Sequence, residues 1–207
     1  MNIRLMVTIA GLGVSAWGED GPAPERKVTV CMDFDRLDAN LARVAVSKVF
    51  KGIGVSIEWQ PYGHFCPVAS GAIAISLSYD TPWNRHPGAL AYARPYEGTH
   101  IVVFYDRVRA MVAPARVPCL LAYVIVHEIA HILQRVTRHS ASGIMKAKWD
   151  HSDYFDMARK SFHFAEEDVD LIHLGMDWRQ SRVTAAGTGP QDHRDGYAPG
   201  GRSESVD

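Results

Sequence analysis

Charge of one sign is what this sequence most plainly lacks: 22 Lys and Arg stand against 23 Asp and Glu over 207 residues, a formal net charge of −1. No basic cluster with interleaved aromatics breaks that balance. Neither a nucleic acid nor an anionic membrane surface finds an electrostatic footprint here, and nucleic-acid binding is set aside. Cysteine is scarce as well. Cys31, Cys66 and Cys119 match no zinc-finger or CxxC spacing and read as structural. In an oxidising compartment one pair can bridge and leave one thiol, and the spacing does not choose the pair. Beyond the first twenty residues no segment reads as long and apolar enough to span a bilayer, so a soluble mature protein is expected. No internal repeat is present, and nothing speaks to oligomeric state.

What is there suits one globular domain: 47% of residues are hydrophobic and 22% charged. Residues 1–18 read as a signal peptide. Arg4 supplies a positive start, Leu5 to Val14 an apolar stretch of about half the ~20 residues a span needs, and Ser15, Ala16 and Gly18 a cleavable end. The expected location is therefore secreted or periplasmic. Residues 19–27, EDGPAPERK, form a linker with no room for a folded inhibitory pro-segment. A single domain is expected over 28–182, and the Gly-, Pro-, Ser- and charge-rich 183–207 reads as a disordered tail.

Within the domain, hydrophobic periodicity predicts an α+β order. VTVCMDF (28–34) is a β-rich run. Asp38 reads as the N-cap of an amphipathic helix whose buried face carries Leu41, Val44, Ala45, Val49 and Ile53, with Gly52 near its stop. VSIEWQ (55–60) and AIAISLSY (72–79) alternate as half-buried strands do. After a loop at 80–88, ALAYAR (89–94) ends at Pro95 and suits an edge strand. HIVVFY (100–105) is apolar throughout, as in the centre of a sheet. A short helix is expected at 106–113, and a long apolar one at 119–134 with Pro118 in its first turn. Two more follow, near 151–160 and 165–175.

The chemistry lies in His127-Glu128-Ile129-Ala130-His131, at the end of that apolar helix. Histidines at i and i+4 share one helix face, so both imidazoles reach one ion. Glu128 points off that axis. It is placed to bond a metal-bound water, to take its proton as it attacks a carbonyl, and to pass that proton to the leaving amine. A chain of this composition, shuffled, carries such a motif roughly 2% of the time, so the pattern alone is moderate evidence. The apolar stem from Leu120 to Val126 strengthens it by holding the ligands rigidly.

Catalytic zinc usually takes three protein ligands, and His139 is the nearest third candidate. On a straight helix it would lie ~18 Å beyond His127. The helix must therefore end near Gln134 to Val136 and the chain must double back, although no glycine marks the bend. Glu166 and Glu167 are alternative third ligands, but two acids opening a helix also satisfy its dipole without a metal. Tyr154 is a weaker candidate, as a hydrogen-bond donor in the cleft. The remaining histidines read as surface or packing residues.

Taken together, HEIAH, His139-Ser140 and Gly143-Ile144-Met145 resemble the metzincin clan of zinc endopeptidases, whose usual pattern is HExxHxxGxxH followed by a methionine turn. The likeness implies His127, His131 and His139 as zinc ligands, Glu128 as general base, and Met145 beneath the metal. Two extra residues precede the third histidine, and Gln134-Arg135 stand where the family has its helix-ending glycine. The resemblance covers about residues 28–150 and implies a twisted mixed sheet with an antiparallel edge strand, a backing helix and the active-site helix. By the same likeness Leu90, Ala91, Tyr92 and Ala93 would pair with an extended peptide or protein substrate. The expectation is a secreted zinc metallopeptidase with one Zn(2+). A catalytically silent binding protein of the same fold and a hydrolase of a non-peptide amide are the alternatives.

Overall fold

The computed structural model describes residues 26–33, 36–62, 66–68, 71–93 and 99–187, the last five by their backbone alone. Residues 1–25, with the expected signal peptide and most of the expected linker, Pro95, and the expected tail from 188 onward lie outside the described residues, while Arg26 and Lys27 of that linker belong to the first strand. Five strands form one mixed sheet in the order β2-β1-β3-β5-β4. They are β1 (Arg26–Cys31), β2 (Val55–Gln60), β3 (Ile73–Ser78), β4 (Ala91–Ala93) and β5 (His100–Phe104). The first three and β5 run parallel, and β4 pairs antiparallel with β5 at the sheet's edge, Tyr92 opposite Val102. Parallel neighbours need long crossovers. Helix α1 (Leu37–Lys51) provides the one between β1 and β2, and turns into β2 through Gly54 at φ +74°.

Alternation along the strands sets one face against the helices and the other outward. Val28, Val30, Val55, Ile73, Ile75, Ile101 and Val103 are buried in the core. Helix α1 packs on that side by a face that matches the predicted one in part, with Ala45, Val49 and Ile53 half-buried against the core. Its buried positions are Ala39, Ala42, Val46 and Phe50, while Leu41 and Val44 are 50% and 64% exposed. The helix lies chiefly against the long apolar helix, and small alanines let two backbones approach where larger side chains would not fit. Asp38 is not the N-cap either. Arg36 holds that position without a side-chain bond, and Asp38, one residue into the helix, accepts the Tyr105 hydroxyl hydrogen bond.

Short α2 (Tyr105–Met111) and a 3-10 turn at Pro114–Arg116 lead into α3 (Val117–Gln134), with Pro118 in its first turn as expected. Every residue of α3 from Leu120 to Gln134 is buried. By length and composition the stretch Pro114–Gln134 does reach what a bilayer span needs, contrary to the sequence reading. Its apolar surface is nevertheless covered, with 83% of its most apolar window buried inside the protein. A helix apolar all round is what a buried core position demands.

Helices α4 (His151–Arg159) and α5 (Glu166–Gly187) complete the fold. Asp150 caps α4 in a reciprocal capping box with Asp153. α5 runs twelve residues past the expected end at 175, since nothing from Met176 to Ala186 breaks a helix, and so takes in 183–187 of the predicted tail. Gly175 lets it press on α3, where a β-carbon would meet the Leu133 carbonyl. Cys31 and Cys66 form the disulfide, and Cys119 is the free thiol, pushed up in pKa by burial.

Candidate metal centre

The end of α3 decides whether the third histidine arrives. The helix stops at Gln134, and Arg135 adopts the left-handed conformation (φ 58°, ψ 29°) usually given to glycine, its N–H closing on the His131 carbonyl at 3.0 Å. The Arg135 guanidinium lies 3.4 Å over the Trp178 ring of α5, an attraction that offsets the left-handed strain. From there the chain doubles back, and His139 comes to rest beside the other two.

The three imidazoles share one point. His131 Nε2 is 3.1 Å from His127 Nε2 and 3.3 Å from His139 Nε2, and one ligand atom from each ring lies within 4.8 Å of the others. A tetrahedral site with bonds of 2.0–2.1 Å has edges of about 3.3 Å. The tautomers follow from the partners. His127 Nδ1 bonds the Ile144 carbonyl at 2.9 Å, and His131 Nδ1 bonds the Val136 carbonyl at 3.0 Å. A carbonyl only accepts, so both Nδ1 atoms carry the hydrogen and both Nε2 atoms offer lone pairs to the common point. Burial holds the His127 pKa down to about 4, and lowers that of His131 as well. Both rings are thus neutral at pH 7, the form that ligates. Such a donor set fits a divalent metal ion.

The floor of the site is the turn after His139. Gly143 sits at φ +71°, where a β-carbon would fall 2.6 Å from the His163 carbonyl. Only glycine fits there without displacing backbone. Ile144 N–H then donates to that carbonyl at 3.0 Å, Ser140 N–H donates to the Met145 carbonyl at 2.8 Å, and Met145 is fully buried. The Ile144 carbonyl accepts a second bond, from Trp149 Nε1 at 3.1 Å, and the Trp149 ring stands edge-on to His127 at 5.6 Å. Sequence reasoning missed Trp149. A tryptophan four residues past the methionine carries no local pattern to flag it.

Glu128, one residue on from the first histidine, is 8% exposed. Burial pushes its pKa up to about 8, against a backbone hydrogen bond from Ala93 that favours the charged form. This bond joins the acid to the sheet's edge. Phe104 N–H donates to the Leu90 carbonyl, so in antiparallel register the peptide groups of Leu90 and Tyr92 face β5 and those of Ala91 and Ala93 face outward. The Tyr92 side chain stacks on His86 at 4.5 Å, on the sheet face opposite buried Ala91.

The alternative ligands are elsewhere. Glu167 pairs with Arg138 at 3.0 Å and is 71% exposed, and Glu166 is exposed at the helix start. Tyr154 lines a small groove with Val112, Cys119, Leu120 and Met157. Among the described residues the histidine trio is the cluster able to hold a metal ion. The chain matches no protein-family model and no curated protein.

Proposed function

We propose that this chain is an exported zinc-dependent peptidase of metzincin-like build, with His127, His131 and His139 holding the ion and Glu128 as general base and acid. The observation that carries the reading is the convergence of the three histidines, with His131 Nε2 at tetrahedral edge lengths from the other two Nε2 atoms and a buried carboxylate on the residue after the first. A mixed sheet with an antiparallel edge strand is part of what the metzincin resemblance implies. The Cys31–Cys66 bridge supports an oxidising destination. Two extra residues precede His139, which favours the silent binding protein, yet after the left-handed turn at Arg135 the chain still brings His139 beside His131.

Zinc, when bound, acidifies a water and polarises a carbonyl oxygen. The chain's own residues do the rest. Glu128, buried on the residue after the first histidine, would accept a proton beside the scissile bond and return it to the leaving nitrogen. The outward-facing peptide groups of Ala91 offer an extended substrate an edge to pair with, while the Ala93 N–H is held by Glu128. Such pairing would draw on main-chain bonds, which suits peptides better than other amides.

The test is metal content followed by one substitution. The mature protein, purified without a histidine tag, should hold about one zinc per chain. Glu128→Gln should hold it equally and cut no member of a peptide library that the wild type cuts. Turnover retained in that variant would sink the mechanism. A zinc-loaded wild type that cuts no peptide would favour the binding protein.

A further inference from the structure

His127 and His131 are each aimed by a bond from their own Nδ1 to a backbone carbonyl. His139 makes no such bond among the described residues, and its side chain is exposed. An exposed imidazole with free rotamers makes a poor ligand unless its backbone is fixed. The fixing group lies 29 residues further on, in the first turn of α5. Asp168 is 1% exposed. Its Oδ1 accepts from Ser140 Oγ at 2.6 Å and from Arg138 Nη2 at 3.4 Å, one residue on either side of His139. Gln134, the last residue of α3, donates from Nε2 to the Asp168 carbonyl at 3.2 Å and to Oδ1 at 3.4 Å. One carboxylate thus holds both ends of the returning segment, 134 and 140.

This carboxylate is not there as inexpensive packing. Its second oxygen, Oδ2, is buried without a hydrogen-bond partner among the described residues, as is Gln134 Oε1. A buried oxygen without a partner is unfavourable, and a neutral or apolar residue would avoid it. The negative charge also lies close enough to act on His131. We infer that Asp168 is a positioning residue, which clamps Arg138 and Ser140 so that His139 reaches the metal point. It takes no part in the chemistry itself. The inference rests on the proposed metal site and gives α5 a role there that its exposed Glu166 and Glu167 do not have.

The test compares Asp168→Asn, which keeps the shape and removes the charge, with Ser140→Ala, a half-exposed change that leaves the carboxylate in place. Zinc affinity of the folded, metal-free proteins is measured by chelator competition, and the visible spectrum is recorded with cobalt(II) in place of zinc. His139→Ala supplies the reference for a lost third ligand. Both variants are expected to bind zinc 10–100-fold more weakly than wild type, with cobalt bands displaced toward those of His139→Ala. A merely structural Asp168 would lower the unfolding midpoint yet leave both affinity and bands at wild-type values, and that result overturns the inference. Should Asp168→Asn fail to fold, unchanged affinity and bands in Ser140→Ala overturn it equally. A wild type that binds neither metal removes the underlying site instead.

Discussion

Glu128 sits where two opposite demands on a carboxyl meet. Burial keeps it protonated to about pH 8 in the metal-free protein, whereas in the unfolded chain it ionises near 4.5. Between those values the unfolded state has released the proton and the folded state has not, so stability falls as pH rises through the window. His127 works in the other direction. It stays neutral down to about pH 4 in the fold but charges near 6.5 when unfolded, so stability falls as pH drops from 6.5 to 4. Metal-free Glu128→Gln keeps the second slope and loses the first. Urea unfolding should find it more stable than metal-free wild type at pH 7, by up to about 3 kcal/mol, with the gap closing towards pH 4.5. Parallel stability curves would mean that the fold does not hold Glu128 protonated. At the same scale, the motif residues were legible because i, i+4 spacing on an apolar helix fixes their geometry locally. Asp168 was not. It follows two glutamates at a helix start, where any acid reads as a dipole partner, and its contacts lie 28 to 34 residues away.

The helix that ends at Gln134 depends on an arginine doing what glycine usually does. A left-handed non-glycine residue carries about 1 kcal/mol or more of strain, and an Arg–Trp stack returns about 0.5–2 kcal/mol. Arg135→Ala keeps the strain and loses the stack, so it should destabilise the protein by about 1–2 kcal/mol. Arg135→Gly loses the stack but relieves the strain, and should unfold close to wild type. Denaturant midpoints that fail to separate the two would argue that the helix does not end in this left-handed turn. The same element shows what periodicity can read and what it cannot. Strand and helix order came through because alternation and 3.6-residue spacing survive in VSIEWQ, AIAISLSY and the stem of α3. The buried face of α1 came through only in part. Hydropathy favours Leu41 and Val44, while close packing against α3 selects Ala39 and Ala42, and side-chain volume at a helix contact has no signature along one chain. Gly143, which did match the resemblance, is required there by the nearby His163 carbonyl and its positive φ. Gly143→Ala should therefore lower stability of the metal-free protein by more than about 2 kcal/mol, measurable by thermal unfolding in chelator.

Across the whole molecule, two constraints hold opposite sides of one sheet. The Cys31–Cys66 disulfide closes a loop of 35 residues at the end of β1, a restriction of the unfolded chain that contributes about 3–4 kcal/mol. Glu128, beside the histidine cluster, bonds Ala93 of β4, a strand reached from β1 by way of β3 and β5. Three strand spacings of ~4.8 Å separate them by about 14 Å, beyond the range at which perturbations usually couple. Zinc at a free concentration a hundredfold above its dissociation constant would add about 2.7 kcal/mol. Cys31→Ala/Cys66→Ala and zinc removal should then lower stability independently, the double loss matching the sum of the single losses to within about 0.5 kcal/mol. The measurement is a four-corner cycle of denaturant unfolding, with and without the bridge, with and without zinc. A shortfall or excess well beyond that margin would show that the β1–β2 side of the sheet and the metal point move as one unit. In that event the bridge would belong to the architecture of the site, and reducing conditions would weaken metal binding as well as the fold.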